Sequence, residues 1–116
     1  MLELFYVLTA TSLLLHEIDS AYEKEWEILR LPGKITGFLL MHVPILLALF
    51  YGLVALLEHP WARTPVGVTI GLAGFLPWLV HKVLVRRPEH FGSLMSNVVI
   101  YGGAVCGAVL VVLSVR

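Results

Sequence analysis

Four apolar stretches fill almost the whole of this 116-residue chain. Each is close to the roughly 20 residues that a helix needs to cross a lipid bilayer. Charged residues make up only 14% of the sequence, whereas soluble domains carry roughly 25%. The mean hydropathy of +0.89 agrees with this composition. The sequence therefore predicts an integral membrane protein, with the lipid bilayer as its main partner.

Charge and cysteine content exclude several other classes. The formal net charge is zero, so no overall field attracts nucleic acid. The lone Cys106 allows neither an intrachain disulfide nor a cysteine-rich metal site. The first apolar run has no small-residue cleavage site after it, and we expect a retained helix rather than a removed signal peptide. The chain is predicted to form one transmembrane domain.

Turn-forming sequences separate the four stretches. They read LPGK, EHPWARTP and RRPEH, at Leu31–Lys34, Glu58–Pro65 and Arg86–His90. Connections this short make successive helices antiparallel, which predicts an all-α fold, a four-helix up-down bundle in the membrane. The predicted helices cover residues 2–29, 36–57, 66–85 and 91–115.

Basic residues are divided unevenly between the two ends of the predicted bundle. One end has Lys24, Arg30, Lys34, Lys82, Arg86 and Arg87, and the other has Arg63 and Arg116. Because cytoplasmic loops are enriched in Lys and Arg, the first and third turns are predicted to be cytoplasmic. Both termini then lie outside the cytoplasm.

Polar residues from all four stretches fall at one depth near the predicted cytoplasmic face. Residues equally distant from a turn lie level in antiparallel neighbours, which brings together Glu23, His42, His81, Ser96 and Asn97. Asp19 lies about one turn deeper in the first helix, and His16 about one turn further. Ionisable groups inside a membrane are costly and mark functional sites by default.

A metal site is one reading of this layer. Imidazoles and carboxylates from facing helices are how helical bundles hold zinc, iron or manganese. His16 and Asp19, three residues apart, share a helix face, and His42 and His81 add one ligand each. This hypothesis makes His16, Asp19, His42 and His81 the metal ligands. Two further carboxylates, Glu17 and Glu23, are the candidate catalytic residues.

Three other readings stay open. His42 and His81 could be the two axial ligands of a haem. A carboxylate near histidines could instead carry protons or cations, as in a small coupled transporter. Hydrogen bonds among the polar groups could also simply fix the register of a non-catalytic subunit.

Small residues recur at packing spacing in the last two stretches. Gly67 and Gly71 form one pair, and Gly103 and Gly107 form another. Such pairs let helices approach closely, either within the bundle or, through Gly103 and Gly107, in a homodimer.

Three motifs carry a family resemblance. HEIDSAYEKEWE at His16–Glu27, MHVPI at Met41–Ile45 and VHKVL at Val80–Leu84 resemble the DUF6713 type of small bacterial membrane proteins, which have no known function. The resemblance implies a bacterial inner-membrane location and extends over nearly the full length. The corresponding positions are His16, Glu17, Asp19, Glu25, Trp26, His42, Pro44 and His81.

One stretch departs from the family pattern. The resemblance implies a further histidine just after His81, where this chain has KVLVRR, so the site would lack one ligand.

Taken together, the sequence favours a small metal-dependent membrane enzyme, with zinc or iron as cofactor and a lipid-like or apolar small molecule as substrate.

Overall fold

A computed structural model describes all residues, 1–116, and every regular element in it is helical. The predicted all-α class is therefore confirmed. A 3₁₀ turn at Pro60–Ala62 leads into α4, and a π-helical turn at Leu79–Leu84 follows α5. The α-helices are α1 Leu2–Tyr22, α2 Glu25–Ile28, α3 Lys34–Glu58, α4 Arg63–Ala73, α5 Leu76–Trp78 and α6 Leu94–Ser114.

Three helical stretches are long and apolar enough to cross a membrane. They are Lys34–Glu58, Pro60–Leu84 and Leu94–Ser114. Their bounds lie within a few residues of the predictions, except that the third stretch begins six residues earlier, at Pro60 instead of 66. Helix α1, which was predicted as the first crossing, is not among these three spans.

The first predicted helix, residues 2–29, differs most from the structure. It ends at Tyr22, and Lys24 takes the left-handed conformation with φ 52° before α2 begins. A left-handed residue cannot continue a right-handed helix, and for lysine it costs roughly 1–2 kcal/mol. Trp26, which is 9% exposed and packs edge-on against Phe38 with ring centroids 5.5 Å apart, helps to offset this cost.

Helix α6 is the centre of the packing, because both α1 and α4 lie along it. Glycines make the α4–α6 contact very close. A Cβ atom built on Gly107 would lie 2.4 Å from the carbonyl oxygen of Gly71, and one on Gly74 would lie 2.7 Å from that of Gly103. The glycines therefore pack within the chain. A homodimer through Gly103 and Gly107 would have to displace α4.

Helix α3 packs less extensively, against α1 and α4. The hydroxyl of Tyr6 in α1 donates a 2.6 Å hydrogen bond to the carbonyl oxygen of Leu49 in α3. These two residues belong to a buried apolar cluster completed by Leu2, Leu56, Ile70 and Leu110. This cluster holds α3 to the bundle at the end away from His16, His42 and His81. Nearer to these three histidines, there is a gap between α3 and the other helices.

Candidate metal centre

Three side chains from separate helical segments converge beside this gap. His16 comes from α1, Glu25 begins α2, and His81 lies in the π-helical turn. Nε2 of His81 is 2.7 Å from Oε1 of Glu25, and Nε2 of His16 is 4.0 Å from the same oxygen. One ligand atom from each residue lies within 4.8 Å of the others. We call these residues the His16–Glu25–His81 cluster.

The cluster is shielded from solvent. The exposed fractions are 3% for His16, 7% for His81 and 9% for Glu25. A carboxylate removed from water is costly unless it is paired or binds an ion. Two imidazoles and one carboxylate are a donor set that suits Zn²⁺ and Fe²⁺.

Two local irregularities place Glu25 and His81 opposite His16. The left-handed Lys24 ends α1 and turns the following residue back toward the bundle. On the other side, the helix that follows Pro77 changes to π geometry over Leu79–Leu84, which alters the direction of its side chains. Single π turns inside helices occur frequently at functional sites.

Phe91 covers the two histidines. It is only 1% exposed and has a left-handed φ of 54°, in the loop before α6. The centroid of its ring is 4.0 Å from that of His81 and 5.4 Å from that of His16. The phenyl ring therefore limits the rotation of both imidazoles and separates them from the end of the molecule.

A second acid–imidazole pair, Glu17 and His42, adjoins the cluster. Nδ1 of His42 is 2.6 Å from the carbonyl oxygen of Phe38. A carbonyl only accepts, so Nδ1 carries the proton and donates it. Nε2 then faces Oε2 of Glu17, with which it is in contact. The contact is favourable when the pair holds one further proton, on either the carboxyl or the imidazole.

Three buried polar atoms in this region have no hydrogen-bond partner. They are Nδ1 of His16, Oε2 of Glu17 and Oδ2 of Asp19. Oε2 of Glu17 touches His42 without the alignment of a hydrogen bond. Buried polar atoms are nearly always paired in native structures, so such atoms point to a bound water or ion.

A cavity of about 330 Å³ opens from the cluster into the gap beside α3. His16, Glu17, Glu25 and His81 line its polar end. The remaining wall is almost entirely apolar and comprises Leu13, Ile45, Ala48, Leu49, Thr69, Ile70, Ala73, Leu76, Pro77 and Val80. A group held at the cluster would therefore face an apolar chamber.

The structure brings two of the four predicted metal ligands together. His16 and His81 are in the cluster, and His42 lies beside it in its pair with Glu17. Asp19 is outside the cluster and does not line the cavity. Glu25 supplies the carboxylate ligand that was predicted to come from Asp19.

The two predicted catalytic carboxylates have different surroundings. Glu17 lines the cavity at the polar end. Glu23 faces away from the cluster, and its Oε2 accepts a 2.7 Å hydrogen bond from Nδ1 of the half-buried His90.

Ser96 and Asn97, the predicted contributions of α6 to the layer, have structural partners. The backbone N–H of Ser96 donates to the hydroxyl of Ser93, which caps the helix. Nζ of Lys82 donates a 2.6 Å hydrogen bond to Oδ1 of Asn97. These contacts hold the third turn and the start of α6 together.

Helical periodicity missed Glu25. In a continuous helix its side chain lies off the face of His16, so spacing alone assigned it no role. Only the family resemblance, through the EW pair of Glu25 and Trp26, marked the position.

Competing effects act on the carboxyl of Glu25. Burial raises its pKa, but the hydrogen bond from His81 and the charges of His16 and His81 together outweigh burial. The pKa of Glu25 is therefore lowered from its ordinary value of 4.5. The carboxylate form, which binds cations, is the one that this site favours.

The fold and the cluster define a helical protein with three potential membrane spans and a buried site of two histidines and one glutamate. Residues 2–116 match the model of a family of unknown function, DUF6713, and the chain belongs to that family. Searches of curated proteins and of solved structures found no match.

Proposed function

We propose that this protein is a metal-dependent membrane enzyme in which the His16–Glu25–His81 cluster binds one divalent ion, zinc or iron. The observation that carries the proposal is that ligand atoms of three buried residues, from three helical segments, lie within 4.8 Å of one another. Three protein ligands leave a coordination position for water or substrate. An ion held there would act as a Lewis acid or would activate a bound water.

The Glu17–His42 pair supplies the proton chemistry in this proposal. The hydrogen bond from Nδ1 of His42 to Phe38 leaves Nε2 directed at Glu17, and Glu17 lines the cavity. A carboxyl group and an imidazole in contact at the cavity can pass a proton to a bound molecule or take one from it, as general acid–base catalysis requires. Glu17 is thus the proposed catalytic residue, while Glu23 has no part in it.

We also propose that α1 is a fourth membrane crossing. Its 21 residues span about 32 Å at roughly 1.5 Å per residue, close to the ~30 Å of the hydrocarbon core. It packs along α6, itself a membrane span, and its polar residues His16 and Ser20 are buried against the protein. We further propose an inner-membrane location, which the family resemblance supports, with both termini outside the cytoplasm, which the distribution of basic residues favours.

Exposed apolar side chains on α3 support the membrane assignment. Leu40, Phe50 and Leu57 are each at least 60% exposed, on a helix that has few contacts with the rest of the protein. Contiguous exposed apolar surface of this kind is rare on soluble monomers and is expected where a helix faces lipid.

Metal content of the detergent-purified protein tests the proposal. We expect about one ion per chain after growth with zinc or iron, and strong loss of that ion in Glu25→Gln and His81→Ala. His59→Ala is the matched control, since His59 stacks on Trp61 outside the cluster. Wild-type protein that stays metal-free under replete conditions would overturn the metal site. A Soret band in the absorption spectrum would instead indicate haem.

A proton-coupled carrier is the second candidate, and the Glu17–His42 contact is the observation that favours it. Reconstituted proteoliposomes would then show a pH-driven flux that Glu17→Gln abolishes. The enzyme proposal expects no such flux.

A further inference from the structure

A second cavity continues the first along the gap between α3 and α4. Its volume is about 220 Å³, and it shares Ala48, Thr69 and Ile70 with the first. It extends to Gly52 and Pro65, further from the cluster along both helices. We call the combined space the α3–α4 groove.

The groove runs along the helices and has one polar end. From His81 to Thr69 the wall covers 12 residues, or about 18 Å at roughly 1.5 Å per residue. Beyond the cluster and the adjoining Glu17 it offers almost no polar partner, apart from the hydroxyl of Thr69. In a bilayer, this direction and polarity match a lipid whose head lies near the membrane surface and whose chain points toward the midplane.

The dimensions of the α3–α4 groove favour a lipid with a single alkyl chain. A volume of about 330 Å³ is at the lower end of the roughly 300–1,000 Å³ of small-molecule sites. Ala48 and Thr69, where the two cavities join, are small side chains on opposite walls of the groove. One alkyl chain lying between these two side chains would fill the groove and leave no space for a second alkyl chain.

Charge selects the head of the bound lipid. A divalent cation with Glu25 as its one charged ligand leaves a net charge of +1 at the cluster. Glu17, the other carboxyl that lines the cavity, contacts His42, and Asp19 does not line the cavity. A single positive charge in an apolar chamber is costly unless an anion binds beside it.

We infer that the α3–α4 groove binds a single-chain fatty carboxylate, with its carboxylate on the metal ion of the cluster and its chain between α3 and α4. This inference rests on the proposed metal site and names its substrate class. A fatty carboxylate combines the two properties that the groove selects: one anionic, oxygen-bearing head and one unbranched apolar tail.

Paramagnetic NMR with cobalt-substituted protein tests the inference. Dodecanoate labelled with ¹³C at its carboxyl carbon is added to Co²⁺-loaded protein in detergent micelles. We expect strong broadening of the carboxyl resonance and less broadening of a ¹³C label at the terminal methyl group. Excess unlabelled dodecanoate should reverse the effect, and dodecyltrimethylammonium, which has the same chain and a cationic head, should not.

Blocking the groove provides the matched variants. Ala48→Phe places a ring where the two cavities join and should weaken dodecanoate binding roughly tenfold or more. Leu47→Phe adds a ring at the neighbouring exposed position and should leave binding unchanged. Thr69→Phe, from the opposite wall, is the second blocking variant if Ala48→Phe does not fold.

The outcomes separate this inference from the metal site on which it rests. Absent Co²⁺ absorption bands in wild-type protein would overturn the metal site itself. Normal cobalt bands with an unchanged carboxyl resonance would overturn only the fatty carboxylate, and so would displacement by dodecyltrimethylammonium. Equal dodecanoate binding in wild type and the folded blocking variants would overturn the groove.

Discussion

Nε2 of His81 lies 2.7 Å from Oε1 of Glu25, although 56 residues separate the two in the chain. Because a carboxylate only accepts hydrogen bonds, the imidazole donates the proton of this bond. The bond ties the segment after α1 to the end of the third helical stretch. A metal ion bound through both atoms would take the place of that proton, and the neutral imidazole would then carry its proton on Nδ1.

The conformation of Lys24 should control the metal site. Lys24→Val forces a β-branched residue into the left-handed region and should lower both stability and metal content, because Glu25 loses its position. Lys24→Gly should retain metal, since glycine adopts this conformation readily. Metal analysis and thermal unfolding in detergent measure the two effects.

Lys34 is the control for that experiment. It also has a left-handed φ, 50°, but it begins α3 away from the cluster. Lys34→Val should reduce stability while the folded protein keeps its metal. Equal metal content in the two valine variants would show that the break at Lys24 does not position Glu25.

The glycines between α4 and α6 should respond very differently to alanine. In Gly107→Ala the new Cβ atom would lie 2.4 Å from the carbonyl oxygen of Gly71, so the helices must separate, at a cost of roughly 1–3 kcal/mol. Gly102→Ala meets no atom within 4 Å and should stabilise α6 by roughly 0.5–1 kcal/mol. Thermal unfolding in one detergent compares them, and a Gly107→Ala protein as stable as wild type would contradict the close packing.

The hydroxyl of Tyr6 should contribute to holding α3 against α1. Tyr6→Phe removes the buried hydrogen bond to the carbonyl oxygen of Leu49 and should cost about 1 kcal/mol. Tyr51→Phe changes a side chain that is 73% exposed and should have no effect. The difference in melting temperature between these variants is the measurement, and identical values would show that the bond adds no stability.

Acid should destabilise the metal-free protein through Glu25. Its pKa is lowered on folding, so its contribution to stability is complete above the ordinary value of 4.5 and is lost as the pH falls through the lower, folded value. We expect the melting temperature in chelator to decrease below about pH 4.5. Glu25→Gln should show a smaller decrease, and an equal decrease in both proteins would assign the acid effect to other groups.

The lengths and hydropathy of the apolar runs were sufficient to predict an all-helical chain, and three of the four predicted membrane-length stretches are found in the structure. Both properties are local, since every backbone hydrogen bond of a helix lies within its own segment. The positions of the turns predicted His42 and His81 at one depth and His16 about two turns deeper, whereas in the structure His16 lies beside His81. The side-chain contacts of these histidines could not be predicted from the positions of the turns.

Tertiary structure decided that Glu25, and not Asp19, completes the cluster. A strained lysine at the end of α1 is unfavourable by itself and persists because contacts with Phe38 in α3 and His81 in the third stretch stabilise the segment that follows. Periodicity describes neighbours one turn apart, whereas this choice depends on partners in other helices. The sequence by itself therefore determined the all-helical class and the three membrane-length stretches, and long-range packing determined where the first helix ends and which carboxylate faces the histidines.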